Sequence, residues 1–181
     1  MLSRPEKWWS ITHPFIAKKA GIMALKVKKA AKDVENEGRI DGDYVGGQMD
    51  AFRHAFWMAM LAQEIKVKKV RKLGEAHEKG NYLDFKKGRY EEGAIPDSIS
   101  SVMDLWNNDV GIRLGSANKK LSKKKLIELV VSNILKGEMK MMKKNKSQTY
   151  LDKDGNEVDL RNFQGKWSNP KCLVSTNFIV K

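Results

Sequence analysis

One cysteine, Cys172, stands in a chain of 181 residues. No internal disulfide can form, and a cysteine-rich zinc site is excluded. Histidine is nearly as scarce, with only His13, His54 and His77. No apolar run approaches the roughly 18 residues of a membrane span, and the opening Met1-Leu2-Ser3-Arg4-Pro5-Glu6-Lys7-Trp8-Trp9 lacks the apolar stretch of a signal peptide. The chain is therefore expected to be made in the cytoplasm. If it acts outside its own cell, a specialised secretion system or a larger parent protein exports it. Several catalytic signatures are missing as well: no Gly-x-Ser-x-Gly elbow, no P-loop and no His-Glu-x-x-His. Serine-esterase, nucleotide-hydrolysing and common zinc-protease readings have no support.

Acidic residues are in deficit. Lys+Arg 35 against Asp+Glu 22 gives a formal charge of +13, a field that favours anionic partners such as nucleic acid, phospholipid or an acidic protein. A composition of 41% hydrophobic and 31% charged residues is too apolar for disorder. The length fits one domain able to bury a core.

The periodicity predicts a mainly α domain, a bundle of about five helices with a small C-terminal β appendage. Residues 1–146 form the helical part and 147–181 the appendage packed on it. Phe15, Ile16, Ala20, Met23, Ala24, Val27, Ala30, Ala31 and Val34 recur at spacings of three and four behind Pro14, with lysines mostly opposite. This reads as a long amphipathic helix whose basic face is either a solvated surface or a contact for membrane or nucleic acid. A helix from Gln48 to Ile65 is apolar on nearly every side. Another is expected over Val67–Glu78, ended by Gly80-Asn81, and a loop or lid over Tyr82–Ser98, with Asp97-Ser98 capping a further helix. That helix carries Ile99, Val102, Met103, Trp106 and Val110, with Gly111 and Gly115 bracketing its end. Ser122 opens a helix to about Lys144. Asp152-Lys153-Asp154-Gly155-Asn156 has the chemistry of a hairpin turn, and Cys172 to Val180 reads as a last strand. The turn is not a calcium loop, because its sixth position is Glu157 where a glycine is needed.

The anomalies are polar groups inside apolar helices. Asp50, Arg53 and His54 lie three and four residues apart and so share one helix face. Asp104, Asn107 and Asn108 do the same, and Ala76-His77-Glu78 closes a helix. Buried groups of this kind must pair with one another, with other polar groups, or with a ligand. The candidate catalytic residues are His54, Asp50, His77 and Asp104. Arg53, Asn107 and Asn108 are candidates to hold substrate oxygens.

The motifs His13-Pro14-Phe15-Ile16-Ala17, Asp50-Ala51-Phe52-Arg53-His54-Ala55-Phe56-Trp57-Met58-Ala59, Gly74-Glu75-Ala76-His77-Glu78 and Met103-Asp104-Leu105-Trp106-Asn107-Asn108-Asp109-Val110-Gly111 occur in that order. Together they resemble an uncharacterised α-helical domain at the C-terminal ends of Rhs-like and other bacterial polymorphic toxins, over about Thr12 to Asn118. The resemblance implies a secreted antibacterial effector with a His-, Asp- and Asn-containing site. An anionic substrate and an acidic immunity protein would be its partners. Three readings of the site remain open. His54 acts as a general base oriented by Asp50 or Asp104, a divalent metal is held by His54, His77, Glu78 and Asp104, or the cluster only locks helices together. The expected function is hydrolysis of a phospholipid or nucleic acid; the alternative is a non-enzymatic basic binding or membrane-perturbing protein.

Overall fold

The computed structural model describes residues 2–90 and 94–179. These contain six helices: α1 (Arg4–Thr12), α2 (Pro14–Asn36), α3 (Gln48–Glu64), α4 (Val67–Phe85), α5 (Ser98–Ala117) and α6 (Lys123–Leu135). Two short strands, β1 (Lys140–Met142) and β2 (Leu173–Ser175), pair antiparallel with Lys140 opposite Ser175. The protein is mainly α with a small strand appendage. The helix that periodicity did not reveal is α1, nine residues with one buried side chain, Trp9. It is started by a capping box, in which Ser3 Oγ accepts from the Glu6 amide at 3.4 Å and Glu6 Oε2 accepts from the Ser3 amide at 2.7 Å.

The center of the core is α3, which touches α2, α4, α5 and α6. Its N-cap, Gly47, has no side chain, so the cap comes from a distance. Asp41 accepts from the amides of Gln48 at 2.8 Å and Met49 at 3.2 Å. Phe52 and Phe56 are fully buried and stacked, each contributing about 1.5–3 kcal/mol by burial. On α2 the residues Ala20, Met23, Val27, Ala30, Ala31 and Val34 make the buried face, as their spacing requires.

Several boundaries differ from the sequence reading. Gly111 and Gly115 do not end α5; they lie inside it, where α5 presses on α3. A methyl group added at either would come within 2.1 Å of the Ala55 carbonyl oxygen or 2.0 Å of that of Ala59. Likewise Gly80 does not stop α4, which continues to Phe85. There the start of α1 packs so closely that a Cβ on Gly80 would meet Ser3. By contrast α6 ends early, at Leu135, because Gly137 turns the chain with φ +80°. Met142 accordingly lies on β1, within what read as helix. The expected hairpin around Asp152–Asn156 is closed by a single isolated bridge, Leu151 with Glu157, and a second bridge, Lys144 with Tyr150, closes the preceding turn. Of the last strand, Leu173–Ser175 forms and Val180 lies outside the described residues, as do 91–93 of the expected lid.

The C-terminal segment is tied to the helices. Thr176 Oγ1 donates to the Ile134 carbonyl at 2.7 Å, Gln48 Nε2 donates to the Thr176 carbonyl at 2.6 Å, and the Met142 amide donates to the Gly46 carbonyl at 2.7 Å. Among the described residues no helix is long and apolar enough to cross a membrane.

Candidate functional site

Two helices supply three converging ligand-type atoms. Asp50 and His54 are one turn apart on α3, and the tight crossing at Gly111 and Gly115 brings Asp104 of α5 against them. His54 Nε2 lies 3.6 Å from Asp50 Oδ1 and 3.5 Å from Asp104 Oδ1. All three residues are buried, and their ligand atoms fall within 4.8 Å of one another. Distances of 3.5–3.6 Å exceed a hydrogen bond. They match the roughly 3.4 Å that separates donors arranged tetrahedrally about an ion at about 2.1 Å.

The surroundings orient each donor. His54 Nδ1 faces Asn108 Oδ1 at 3.4 Å, and a proton on Nδ1 directed there leaves the Nε2 lone pair facing the two carboxylates. Burial pushes the imidazole down to about 3, and the fields of His77 and Arg53 act in the same direction. His54 is thus neutral at neutral pH. Asp50 Oδ2 accepts from the Gly46 amide at 2.8 Å, a geometry that depends on the left-handed φ of +88° at Gly46. Arg53 sits 3.8 Å from Asp50 Oδ1 and reaches the Tyr44 carbonyl and ring.

The three residues stand in a cleft of about 680 Å³. One wall is α2, presenting Ala17, Ala20, Gly21, Ala24 and Val27; Trp9, Trp57 and Ile95 extend the apolar lining. Its charged groups are Arg53, Lys28 and Lys171 together with the acids Glu6, Asp50, Asp97 and Asp104, and His54 and His77 also line it. His77 is hydrogen-bonded to Glu6 Oε1 at 3.0 Å through Nδ1, with its ring centroid 6.2 Å from that of His54. Burial would raise the Glu6 carboxyl, but the hydrogen bonds from His77 and Ser3 outweigh it and hold the group below its ordinary value.

The structure brings Asp50, Arg53, His54, His77 and Asp104 to one cleft and sorts the rest differently. Asn107 does not line it: fully buried, its side chain donates to the Lys140 carbonyl and accepts from the Lys140 amide, both at 2.9 Å, splicing α5 to β1. Asn108 acts behind His54. Glu78 is absent from the cleft lining and accepts from Asn81 within α4. The residues whose ligand atoms lie close enough together to hold an ion are Asp50, His54 and Asp104; His77 and Glu78 are not among them. His13 stacks on Trp9 at 5.0 Å between centroids and lies outside the lining. Sequence reasoning missed Glu6, Tyr150, Lys171 and the role of Asp97. Lys171 pairs with Asp97 at 2.6 Å and lies 4.1 Å from the center of the Tyr150 ring. Burial first, then Asp43, Asp97 and Asp50, pushes the Tyr150 hydroxyl up to about 12. Nothing in the sequence flags Lys171 among 35 basic residues, whereas the Ser3–Glu6 spacing is a readable capping box.

Fold and site together define a mainly α domain with a buried His–Asp–Asp group at the foot of an amphipathic cleft. Residues 7–138 match the family described as a domain of unknown function, DUF6973, and the chain belongs to that family. No curated protein and no solved structure matches it.

Proposed function

We propose that this protein is a metal-assisted hydrolase of phosphate esters that carry an apolar chain, with phospholipids as the substrate class. The observation that carries the reading is the convergence of Asp50, His54 and Asp104 at ion-ligand spacing. One imidazole and two carboxylates suit a borderline-to-hard divalent ion such as Mn²⁺ or Zn²⁺, and three protein donors leave coordination positions open. Such an ion supplies a lowered water pKa and offsets charge on phosphate oxygens. The metal-free alternative needs His54 as general base, and burial disfavours the imidazolium that a base becomes.

The remaining residues take roles that fit their positions. Arg53 holds a non-bridging phosphate oxygen. His77, oriented by Glu6, donates a proton to the leaving oxygen. In balance, the water oxygen joins phosphorus and releases one proton to solvent, the P–O ester bond breaks, the alcohol leaves with the proton from His77, and His77 regains a proton from solvent. The apolar wall of α2 favours an acyl or alkyl chain over the sugar–phosphate chain of a nucleic acid. The toxin-like role belongs to the same proposal and is supported by the order of the four motifs.

The experiment is phosphate-ester hydrolysis by wild type, His54→Ala and Asp104→Asn, with a short-chain phospholipid and an oligonucleotide side by side. Parallel growth of a susceptible bacterium expressing each tests the toxin role. Wild type is expected to cleave the phospholipid and to arrest growth, with both effects absent in folded variants. Cleavage of the oligonucleotide alone would move the substrate class, and equal activity in folded variants would end the reading.

A further inference from the structure

The N-terminal segment and the two helices that wall the cleft also carry a group of exposed apolar side chains. Of sixteen large hydrophobic residues exposed among the described residues, Leu2, Trp8, Ile11, Phe15, Ile22 and Leu25 fall in the first 25 positions. Phe15 is 90% exposed and Trp8 71%. Scattered single residues of this kind are ordinary on a protein surface; a group along two joined helices is not.

Their placement follows from helix geometry. At about 100° per residue, Phe15, Lys18, Ile22, Leu25 and Lys29 form one stripe on α2. That stripe lies opposite the buried face of Ala20, Met23, Val27 and Ala30. The cleft-lining residues Ala17, Gly21, Ala24 and Lys28 run between the two. On α1, Arg4 and Lys7 share a shallow surface groove with Trp8 and Ile11. From residue 2 to residue 26 the bases are Arg4, Lys7, Lys18, Lys19 and Lys26. The single acid, Glu6, is engaged by His77 and Ser3. Leu2 is both exposed and part of the cleft lining, so the cleft opens at this edge.

We infer that the exposed face of α1 and α2 docks the protein on an anionic lipid surface, presenting the cleft to lipids in that surface. Aromatic and aliphatic side chains alternating with Lys and Arg are the chemistry that an anionic bilayer interface complements. The apolar groups enter the acyl boundary and the cations stay among the headgroups. A purely solvated basic face would carry the lysines without Phe15 and Trp8 beside them. Docking rests on the phospholipid reading for its purpose, but not for its measurement.

The test is co-sedimentation of the full chain with vesicles of phosphatidylcholine alone or mixed with phosphatidylglycerol. Wild type is expected to sediment with the anionic vesicles only, and less so as salt rises. The double variant Trp8→Ser/Phe15→Ser, changed at exposed positions outside the cleft lining, is expected to lose binding by about tenfold or more. Lys18→Glu is expected to lose on the order of tenfold. Asp104→Asn is expected to bind vesicles as wild type does, whether or not it hydrolyses anything. On a soluble short-chain phospholipid the double variant is expected to act as wild type, while on vesicles it acts more slowly. Equal sedimentation of wild type and double variant would overturn the inference. So would a dimer in solution that dissociates on Phe15→Ser, or a nucleic-acid complex that depends on the same residues. A silent site with intact vesicle binding would instead remove only the hydrolase reading.

Discussion

Asp104 on α5 stands 3.5 Å from His54 on α3, and the helices are held at that distance by Gly111 and Gly115, two and three turns further along α5. Their missing side chains let α5 rest on the carbonyls of Ala55, next to His54, and Ala59, one turn further along α3. The glycines that look like helix stops are thus what bring the two halves of the site together.

Gly111→Ala therefore weighs two opposed effects. Helix propensity favours alanine by about 1 kcal/mol, but a Cβ 2.1 Å from a backbone oxygen cannot be relieved by a side-chain rotation and forces the helices apart. Overpacking of this kind costs about 1–3 kcal/mol, so the net is expected to be destabilising, with weakened ion binding because Asp104 moves. Urea unfolding together with Mn²⁺ titration checks it; a stabilised protein with unchanged ion binding would show the contact to be soft.

Asn107→Ala separates structural from functional amides. It strands the Lys140 amide and carbonyl, two part-buried backbone groups that pair with one side chain. The expected loss is about 2–3 kcal/mol in stability, read by thermal unfolding, with little change in ion affinity while the protein is folded. A large loss of affinity in a stable Asn107→Ala protein would return this residue to the site.

Asn108→Ala has the opposite signature. Removing the contact that orients His54 is expected to lower Mn²⁺ affinity about 10- to 100-fold, the usual effect of losing an outer partner of a ligating histidine. Asp104→Asn, at a proposed ligand, is expected to lose at least as much. Calorimetric titration distinguishes the cases, and an affinity equal to wild type in both would remove the ion from the account.

The pH dependence of stability follows from His54. In the unfolded chain the imidazole has its ordinary value of 6.5, and in the fold it is held at about 3. Between those values only the unfolded chain binds the proton, so stability is complete above 6.5 and falls as pH drops below it, by up to about 1.4 kcal/mol per pH unit. Glu6 is held below 4.5, so its stabilising contribution is present above that value and is lost at more acid pH, overlapping only the lower part of the His54 range. Urea unfolding at about pH 7 and about pH 5 with a chelator present is expected to show the decline in wild type and a flatter response in His54→Gln. The same slope in both proteins would contradict the buried neutral imidazole.

How much of this was legible in the sequence depends on the range of the interaction. The α3 cluster was readable, because Asp50, Arg53 and His54 are neighbours on one helix turn and polar groups stand out in an apolar segment. Asp104 was readable as a candidate by the same logic. Asn107 is not placed by spacing, which gives Asn107 and Asn108 the same face, while their targets, Lys140 and His54, lie 33 and 54 residues away. Gly80, Gly111 and Gly115 misled for one reason: a glycine that admits a neighbouring helix and a glycine that ends its own look alike in one dimension. Lys171 lies two residues before the three-residue β2, and Tyr150 is held by a single bridge to Lys144, patterns too short to stand out.

Hydrolysis of a short-chain phospholipid by wild type and by His54→Ala, with added Mn²⁺ and again with excess chelator, bears most directly on the central claim. The expected result is release of the alcohol product by wild type, abolished by the chelator, restored by the ion, and reduced by about a hundredfold or more in folded His54→Ala. Hydrolysis that ignores the chelator, or that survives in folded His54→Ala, would contradict it.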